Sequence, residues 1–177
     1  MTDQGDGVLG RRSRGREPLV RRATAADVDE VAGITVRAYV EDGFVGAGDS
    51  YVEELGDAAS RLAHAELWVA EVEGAVVGAV TFCPPGSTYR ELATDGEGEF
   101  RMLAVDPASR GQGVARALVQ QCLDRCVELG LTDLVLCSLK QMSPAHALYL
   151  SMGFGRDDAL DWEPEPGVTL LGFRTAT

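Results

Sequence analysis

The stretch VDPASRGQGVARALV, residues 105–119, places two glycines and an arginine between an apolar run and an amphipathic one. Flexible residues where a helix should begin have two physical readings. One is a tight turn. The other is a seat for an anion, because a helix N-terminus presents free backbone N–H groups and partial positive charge. A plain turn accounts for one glycine, but not for Gly111, Gly113 and Arg110 together.

On the N-terminal side, GEFRMLAVDP (98–107) reads as a strand that Pro107 stops, with Phe100, Met102 and Ala104 alternating against Arg101, Leu103 and Val105. On the C-terminal side a helix is expected over about 112–129. Val114, Leu118, Cys122 and Cys126 form one stripe, Val119, Leu123 and Val127 its neighbour, and Gly130 is a C′ glycine. TDLVLCSL (132–139) is near-continuously apolar, as a strand buried on both faces would be. SPAHALYLSM (143–152) opens a short helix with Pro in its first turn. GFGRDDALDW and VTLLGFRT look like two closing strands.

Upstream, PLVRRAT (18–24) reads as a first strand. It runs into a helix over AADVDEVAGITVRAY, with Thr24 and Asp27 as a weak capping box. A short helix is expected over 50–63. ELWVAEVEGAVVGAVTFCP (66–84) reads as two strands joined at Glu73-Gly74. The order β-α-α-β-β-β-α-β-α-β-β is mixed α/β, without internal repeats.

The chain has 177 residues, enough for one domain with a sizeable core. No apolar run is long enough to cross a bilayer. The N-terminus lacks the apolar core of a signal peptide, so a cytoplasmic location is the default expectation and no membrane partner is expected. Six arginines against three acids make residues 1–22 basic. Against a net charge of −12 for the chain, this leaves −15 on residues 23–177. A body so acidic repels nucleic-acid backbone, which is not an expected partner, and attracts cationic ligands. Residues 1–17, with their GRRSRGREP run, read as a disordered tail ahead of a domain over 18–177. Cys83, Cys122, Cys126 and Cys137 form no CxxC pair, and neither histidine stands at metal-ligand spacing from them, so no metal is expected.

Three phosphate-binding patterns compete for 110–116. A P-loop needs a lysine after its glycines, and the chain's one lysine, Lys140, is elsewhere. A dinucleotide loop, G-x-G-x-x-G/A, meets Arg116 at its last position and sits on the wrong strand. A pyrophosphate cradle of the form Arg/Gln-x-x-Gly-x-Gly/Ala fits Arg110, Gly113 and Ala115. Its small residues let successive N–H groups approach an anion closely.

RMLAVDPASRGQGVARALV (101–119) resembles the acyl-CoA-binding motif of the GNAT acetyltransferases, and AHALYLSMGF (145–154) resembles the motif that follows it. The resemblance covers roughly 18–177 and implies a mixed central sheet, splayed open beside the strand 99–105 and flanked by helices. It implies acetyl-CoA as cosubstrate in that splay, with Leu103, Ala104 and Val105 along the pantetheine arm. Arg110, Gly111, Gln112, Gly113, Val114 and Ala115 would lie around the pyrophosphate, and no metal is implied. The chemistry implied is direct acetyl transfer to a primary amine, on a small molecule or a peptide. Tyr149 would be the general acid, the Leu103 N–H an oxyanion donor, and Glu99 the base, with Glu97 and Glu91 as rivals. The sequence departs from the pattern at Met142, where many members carry Asn. His64 and His146 read as surface or packing histidines. Tyr39, Phe44, Tyr51, Tyr89, Arg90 and Trp162 are expected around the acceptor, with Glu41, Asp42, Asp49, Glu53 and Glu54 near its entry. A non-catalytic acyl-CoA sensor, a different acyl donor and a homodimer stay open.

Overall fold

The computed structural model describes residues 17–177, so residues 1–16 of the expected tail lie outside the described residues. Eight strands, β1 (Leu19–Arg22), β2 (Glu66–Val72), β3 (Ala75–Cys83), β4 (Glu97–Val105), β5 (Asp133–Leu139), β6 (Gly155–Arg156), β7 (Trp162–Glu165) and β8 (Val168–Ala176), form one sheet. Its order is β1-β2-β3-β4-β5-β8-β6, with β7 paired to β8. The five α-helices are α1 (Val28–Val40), α2 (Tyr51–Gly56), α3 (Ala58–His64), α4 (Val114–Leu129) and α5 (Ser143–Ser151). None is long and apolar enough to cross a membrane.

Local chemistry explains most boundaries. Arg21 grips Asp27 with two bonds of 2.8 and 2.9 Å, and the Thr24 N–H donates to the same carboxylate at 2.7 Å, which fixes the entry into α1. The Arg21 hydrogen bonds hold the Asp27 carboxyl well below the usual carboxylate range. The β2–β3 turn has Glu73 and Gly74 both at positive φ, as the hairpin reading requires. The expected helix over 50–63 is in fact two. Asp57 leaves helical geometry and accepts from the Ser60 N–H at 2.9 Å, capping α3. The expected strand over 153–162 is also interrupted: Asp157 caps a 3-10 turn over Asp158–Leu160, and Arg156 pairs with Asp158 and Asp161.

Helices α1 and α3 cover one face of the sheet, and α4 and the Tyr149 face of α5 cover the other. Close approach sets the fit of α4. A methyl group at Gly98 would come within 2.5 Å of Cys126 Sγ, and one at Gly78 within 2.7 Å of Val114 Cγ1. At Gly78 the methyl would also come within 3.0 Å of the Ala104 carbonyl oxygen, a backbone contact that side-chain movement does not relieve.

Two features of β4 shape the centre of the sheet. The strand pairs with β5 in parallel only from Glu97 opposite Asp133 to Glu99 opposite Val135, while β5 stays paired with β8 along its full length. Past Glu99, β4 and β5 part. Arg174 on β8 clamps the joint by reaching across β5 to the Glu97 carboxylate of β4, with Asp157 bound to its Nε at 2.8 Å. The second feature is a bulge. Ala104 opposes Ala79 but Arg101 opposes Thr81, so three steps on β4 match two on β3, and Met102 has φ 52°.

The bulge corrects the alternation expected for β4. Phe100, Met102 and Ala104 are all buried, but they do not share a face. Phe100 packs with Val114 and Leu118 of α4, whereas Met102 packs with Val45 and Leu55, and Ala104 with Ile34 and Ala38. Leu103 and Val105 take over the α4 face.

Gly98→Ala is expected to cost about 1–3 kcal/mol through overpacking against Cys126. Gly46→Ala, with open space around it, should stay within about 0.5 kcal/mol of the parent. Urea unfolding of the two variants checks the contrast.

Candidate active site

The gap between β4 and β5 is the seat of the site. Because β5 leaves at Val135, the edge of β4 beyond Glu99 has no strand partner on that side, and its backbone groups are open to a ligand that can lie alongside as an added strand. Two cavities occupy the opening. The first, about 450 Å³, is lined by Leu103, Ala104 and Val105 of β4, by the loop Ser109 to Arg116, and by Pro144 and Leu148 of α5. The second, about 340 Å³, lies on the other side of Leu103 and reaches Arg101, Met102, Tyr149, Cys137 and Trp162. Tyr39, Phe44, Leu103, Met142 and Ala145 line both cavities, so they meet at the bulge.

The loop into α4 has the form an anion needs. Gly111 and Gly113 have φ of 77° and 81°, which favours glycine, and a Cβ on either would meet nothing within 4 Å. The space above them is therefore open. Gly113 is the N-cap of a 16-residue helix, whose first N–H groups have no intrahelical acceptor. Arg110 stands at the loop's start with Nη1 and Nη2 on Asp42 at 2.9 and 2.8 Å. The expected cofactor residues Leu103, Ala104, Val105, Arg110, Gly111, Gly113, Val114 and Ala115 thus line one groove. Gln112 is in the loop but off the groove wall. Their donor set fits the pyrophosphate and pantetheine arm of an acyl-CoA: free N–H groups for phosphate oxygens and an unpaired strand edge for amides.

Tyr149 projects from α5 into the second cavity and is 4% exposed. Its ring is held by Phe100, Phe154 and Phe173 at centroid distances of 5.8, 5.9 and 5.6 Å. Burial pushes its hydroxyl well above the ordinary tyrosine value, so it stays a proton donor across the physiological range. Cys137 also faces this cavity, but burial pushes its thiol up to about 11, and the Trp162 indole N–H points at its sulfur at 3.5 Å. That thiol is not poised as a nucleophile.

Glu99 is not brought into either cavity. It is 1% exposed, and its Oε2 accepts three backbone N–H groups, from Glu91, Leu92 and Ala93, at 3.0, 2.9 and 3.0 Å. A carboxylate so enclosed organises the loop between β3 and β4 and is not placed to take a proton from an amine. Glu97 is bound to Arg174 and to the Thr94 N–H. Of the three expected carboxylates only Glu91 faces the second cavity, with Oε1 3.1 Å from Arg101 Nη2. Burial raises its carboxyl above the ordinary value.

Tyr39, Phe44, Tyr51 and Trp162 line the second cavity as expected, with Asp49 and Glu54, while Tyr89 and Arg90 do not. Arg90 instead donates to the Thr94 and Glu97 carbonyls. Asp42 lines the first cavity, and Glu41 and Glu53 line neither. Arg101 and Cys137 were not expected there. His146 lies against the Phe173 ring, its Nε2 buried without a partner, and His64 bonds within its own helix to the Ser60 carbonyl. Among the described residues no cluster of His, Cys, Asp or Glu could hold a metal ion.

A profile of the acetyltransferase (GNAT) family matches residues 33–154. The chain is 41% identical over 95 residues to N-acetyltransferase family 8 member 2 of Rattus norvegicus, covering 52% of this chain and 39% of that protein. It therefore spans about two fifths of that relative's length. It is 28% identical over 148 residues to the uncharacterized N-acetyltransferase YjgM of Escherichia coli, covering 81% and 85% of the two chains. In fold it resembles the PaiA N-acetyltransferase of Thermoplasma acidophilum in complex with coenzyme A. The TM-score is 0.72 at 11% identity, over 91% of this chain and 99% of that one.

Glu99→Ala should lower stability by roughly 3 kcal/mol, because three loop N–H groups lose a buried acceptor. Glu91→Ala, which breaks a partly exposed pair, should cost less than about 1 kcal/mol. Thermal unfolding monitored by circular dichroism separates the structural carboxylate from the one facing the cavity.

Proposed function

The chain belongs to the GNAT acetyltransferase family, whose members use acetyl-CoA, and from that premise we propose that it is an N-acetyltransferase acting on a primary amine by direct attack in a ternary complex. One observation carries the reading: a groove suited to the acyl donor and a second cavity with a buried tyrosine and a carboxylate at its exposed edge share one wall at Leu103. Acetyl-CoA supplies a thioester whose C–S bond breaks as the C–N bond forms.

Each residue has a task in that exchange. The cradle Arg110 to Ala115 anchors the donor's phosphates through backbone N–H groups and the dipole of α4. The β4 edge from Leu103 to Val105 holds the arm extended, which brings the thioester to the bulge. There the Leu103 N–H donates to the carbonyl oxygen as negative charge gathers on it. Glu91 takes the proton from the arriving ammonium, directly or through water, and replaces Glu99 in that role. Its burial-raised affinity for a proton suits it to the task. Tyr149 gives its hydroxyl proton to the departing thiolate. The second proton, shed by the nitrogen once the C–N bond has formed, returns to Tyr149 through water, so that the one carried off by Glu91 is the net proton released. The raised Cys137 thiol argues against an acetyl-cysteine intermediate, and so for direct attack.

Tyr149→Phe keeps the ring and its packing and removes the proton. Burial makes this phenol a weak acid, so the loss should lie at the low end for general acids, about 10²-fold in kcat, with acetyl-CoA affinity within about twofold. Wild-type kcat in a chemistry-limited assay would make Tyr149 a packing residue. Glu91→Gln should lower kcat/KM mostly at low pH, where the amine arrives protonated, and less as pH rises toward the amine's own pKa. A loss equal at every pH would remove Glu91 from proton transfer. Both profiles are read from thiol release across an amine panel, and binding of acetyl-CoA without release of thiol would favour a sensor.

A further inference from the structure

Five residues line both cavities and so wall the place where they meet. These are Tyr39 of α1, Phe44 of the loop after it, Leu103 at the β4 bulge, and Met142 and Ala145 at the start of α5. Four of the five are anchored in the core. Tyr39 packs with Ala104 and Met102, Phe44 with Val45 and Leu55, and Leu103 and Ala145 with the cluster around Phe100 and Leu118. Met142 belongs to no hydrophobic cluster among the described residues. Its backbone is fixed all the same. As the N-cap of α5 its N–H donates to the Leu139 carbonyl at 2.9 Å, and its own carbonyl accepts from the His146 N–H at 3.1 Å.

One polar contact holds the thioether: the Ser138 hydroxyl donates to Met142 Sδ at 3.5 Å. Ser138 is 5% exposed and stands on β5 opposite Leu171 of β8, so the donor comes from a strand already paired on its far side. A methionine has three soft side-chain torsions, and its sulfur is a weak acceptor. Left free, such a chain would swing aside under pressure. Pinned at its sulfur, it becomes a stop. In the proposed transfer the thioester carbon lies where the cavities meet, with its sulfur toward the groove and its oxygen at the Leu103 N–H. The acyl chain is then directed away from β4, to the α5 side, where Ala145 is too small to limit it.

We infer that Met142, held in place by Ser138, sets the length of acyl chain that the donor site accepts. Acetyl fits, and a longer aliphatic acyl group meets the thioether. Met142 is the specificity-determining residue and Ser138 its positioning residue. This rests on the N-acetyltransferase reading, in which the groove holds an acyl-CoA, and concerns the acyl end of that donor.

The test needs no acceptor. Calorimetry on the full chain gives the dissociation constants of coenzyme A, acetyl-CoA and butyryl-CoA. Two extra methylenes against a fixed wall should place butyryl-CoA at least about tenfold above acetyl-CoA in Kd. Met142→Ala should bring that ratio within about twofold of unity. Ser138→Ala, which frees the thioether, should lower it about threefold. Coenzyme A has no acyl chain and serves as internal reference, so a folding defect moves all three ligands together. In a Met142→Leu background, which has no sulfur, adding Ser138→Ala should change the ratio no further. A further fall there would make Ser138 a structural residue and overturn its part of the inference. Equal affinity of the parent for acetyl-CoA and butyryl-CoA overturns the inference and leaves the transferase reading standing. So does a ratio that survives Met142→Ala, which would put the limit on the rings of Tyr39 and Phe44. No affinity for any of the three ligands overturns the donor groove, and the transferase reading and the inference with it.

Discussion

The parting of β4 from β5 after three residue pairs is the constraint from which the site arises. A strand in the middle of a sheet normally satisfies its backbone on both sides, and leaving a stretch of it unpaired is costly unless a ligand or water takes the vacant bonds. Here β5 is kept away by its own complete ladder to β8, from Asp133 opposite Ala176 to Leu139 opposite Leu170. The Glu97–Arg174 contact holds the joint where the two strands still meet. The bulge at Met102 then turns consecutive side chains, Arg101 and Met102, toward the α2 side and moves Leu103 onto the α4 side, where both cavities touch it. Groove, cavity and their junction all come from one break in the hydrogen-bond ladder.

Much of this was legible in the sequence because it is written in local chemistry. Gly111, Gly113 and Arg110 mark the open loop that we propose as the cradle, the apolar stripe of 114–126 marks the helix behind it, and Glu73-Gly74 marks the hairpin. The bulge left no such mark. A methionine at positive φ is indistinguishable in sequence from one in a regular strand, so period-two reading put Phe100, Met102 and Ala104 on one face. The surroundings of Glu99 were illegible for a related reason. Its position at the start of the central strand is correct, but only the fold shows that the loop of 91–93 wraps its carboxylate with three N–H groups. Glu91, eight residues upstream in that same loop, is what faces the cavity. Arg101 was hidden because cavity membership is set by strand crossing and not by any spacing along the chain.

The two carboxylates on and beside β4, Glu99 buried and Glu91 largely exposed, illustrate how environment divides one residue type. Glu99 is saturated with donors and therefore structural. Glu91 has one ionic partner and one side toward the cavity, and burial raises its proton affinity. Tyr149, the acid we propose, shows the same logic: three aromatic neighbours fix its ring, and burial holds its proton in place.

The break also has a mechanical meaning. Strands β1–β4 and β5–β8 are two panels joined by three rungs and an arginine clamp, with α4 leading from one to the other. Such a joint concentrates the strand contact between the panels in a few residues, and the free edge of β4 leaves room for a ligand to extend it. A donor that bonds along that edge and packs against α5 spans both panels and becomes part of the frame. Its binding free energy is then also resistance to opening, because a ligand held only by the native form stabilises it by mass action. On the proposed reading the loaded form is therefore the more stable one, by an amount set by the donor's concentration relative to its dissociation constant.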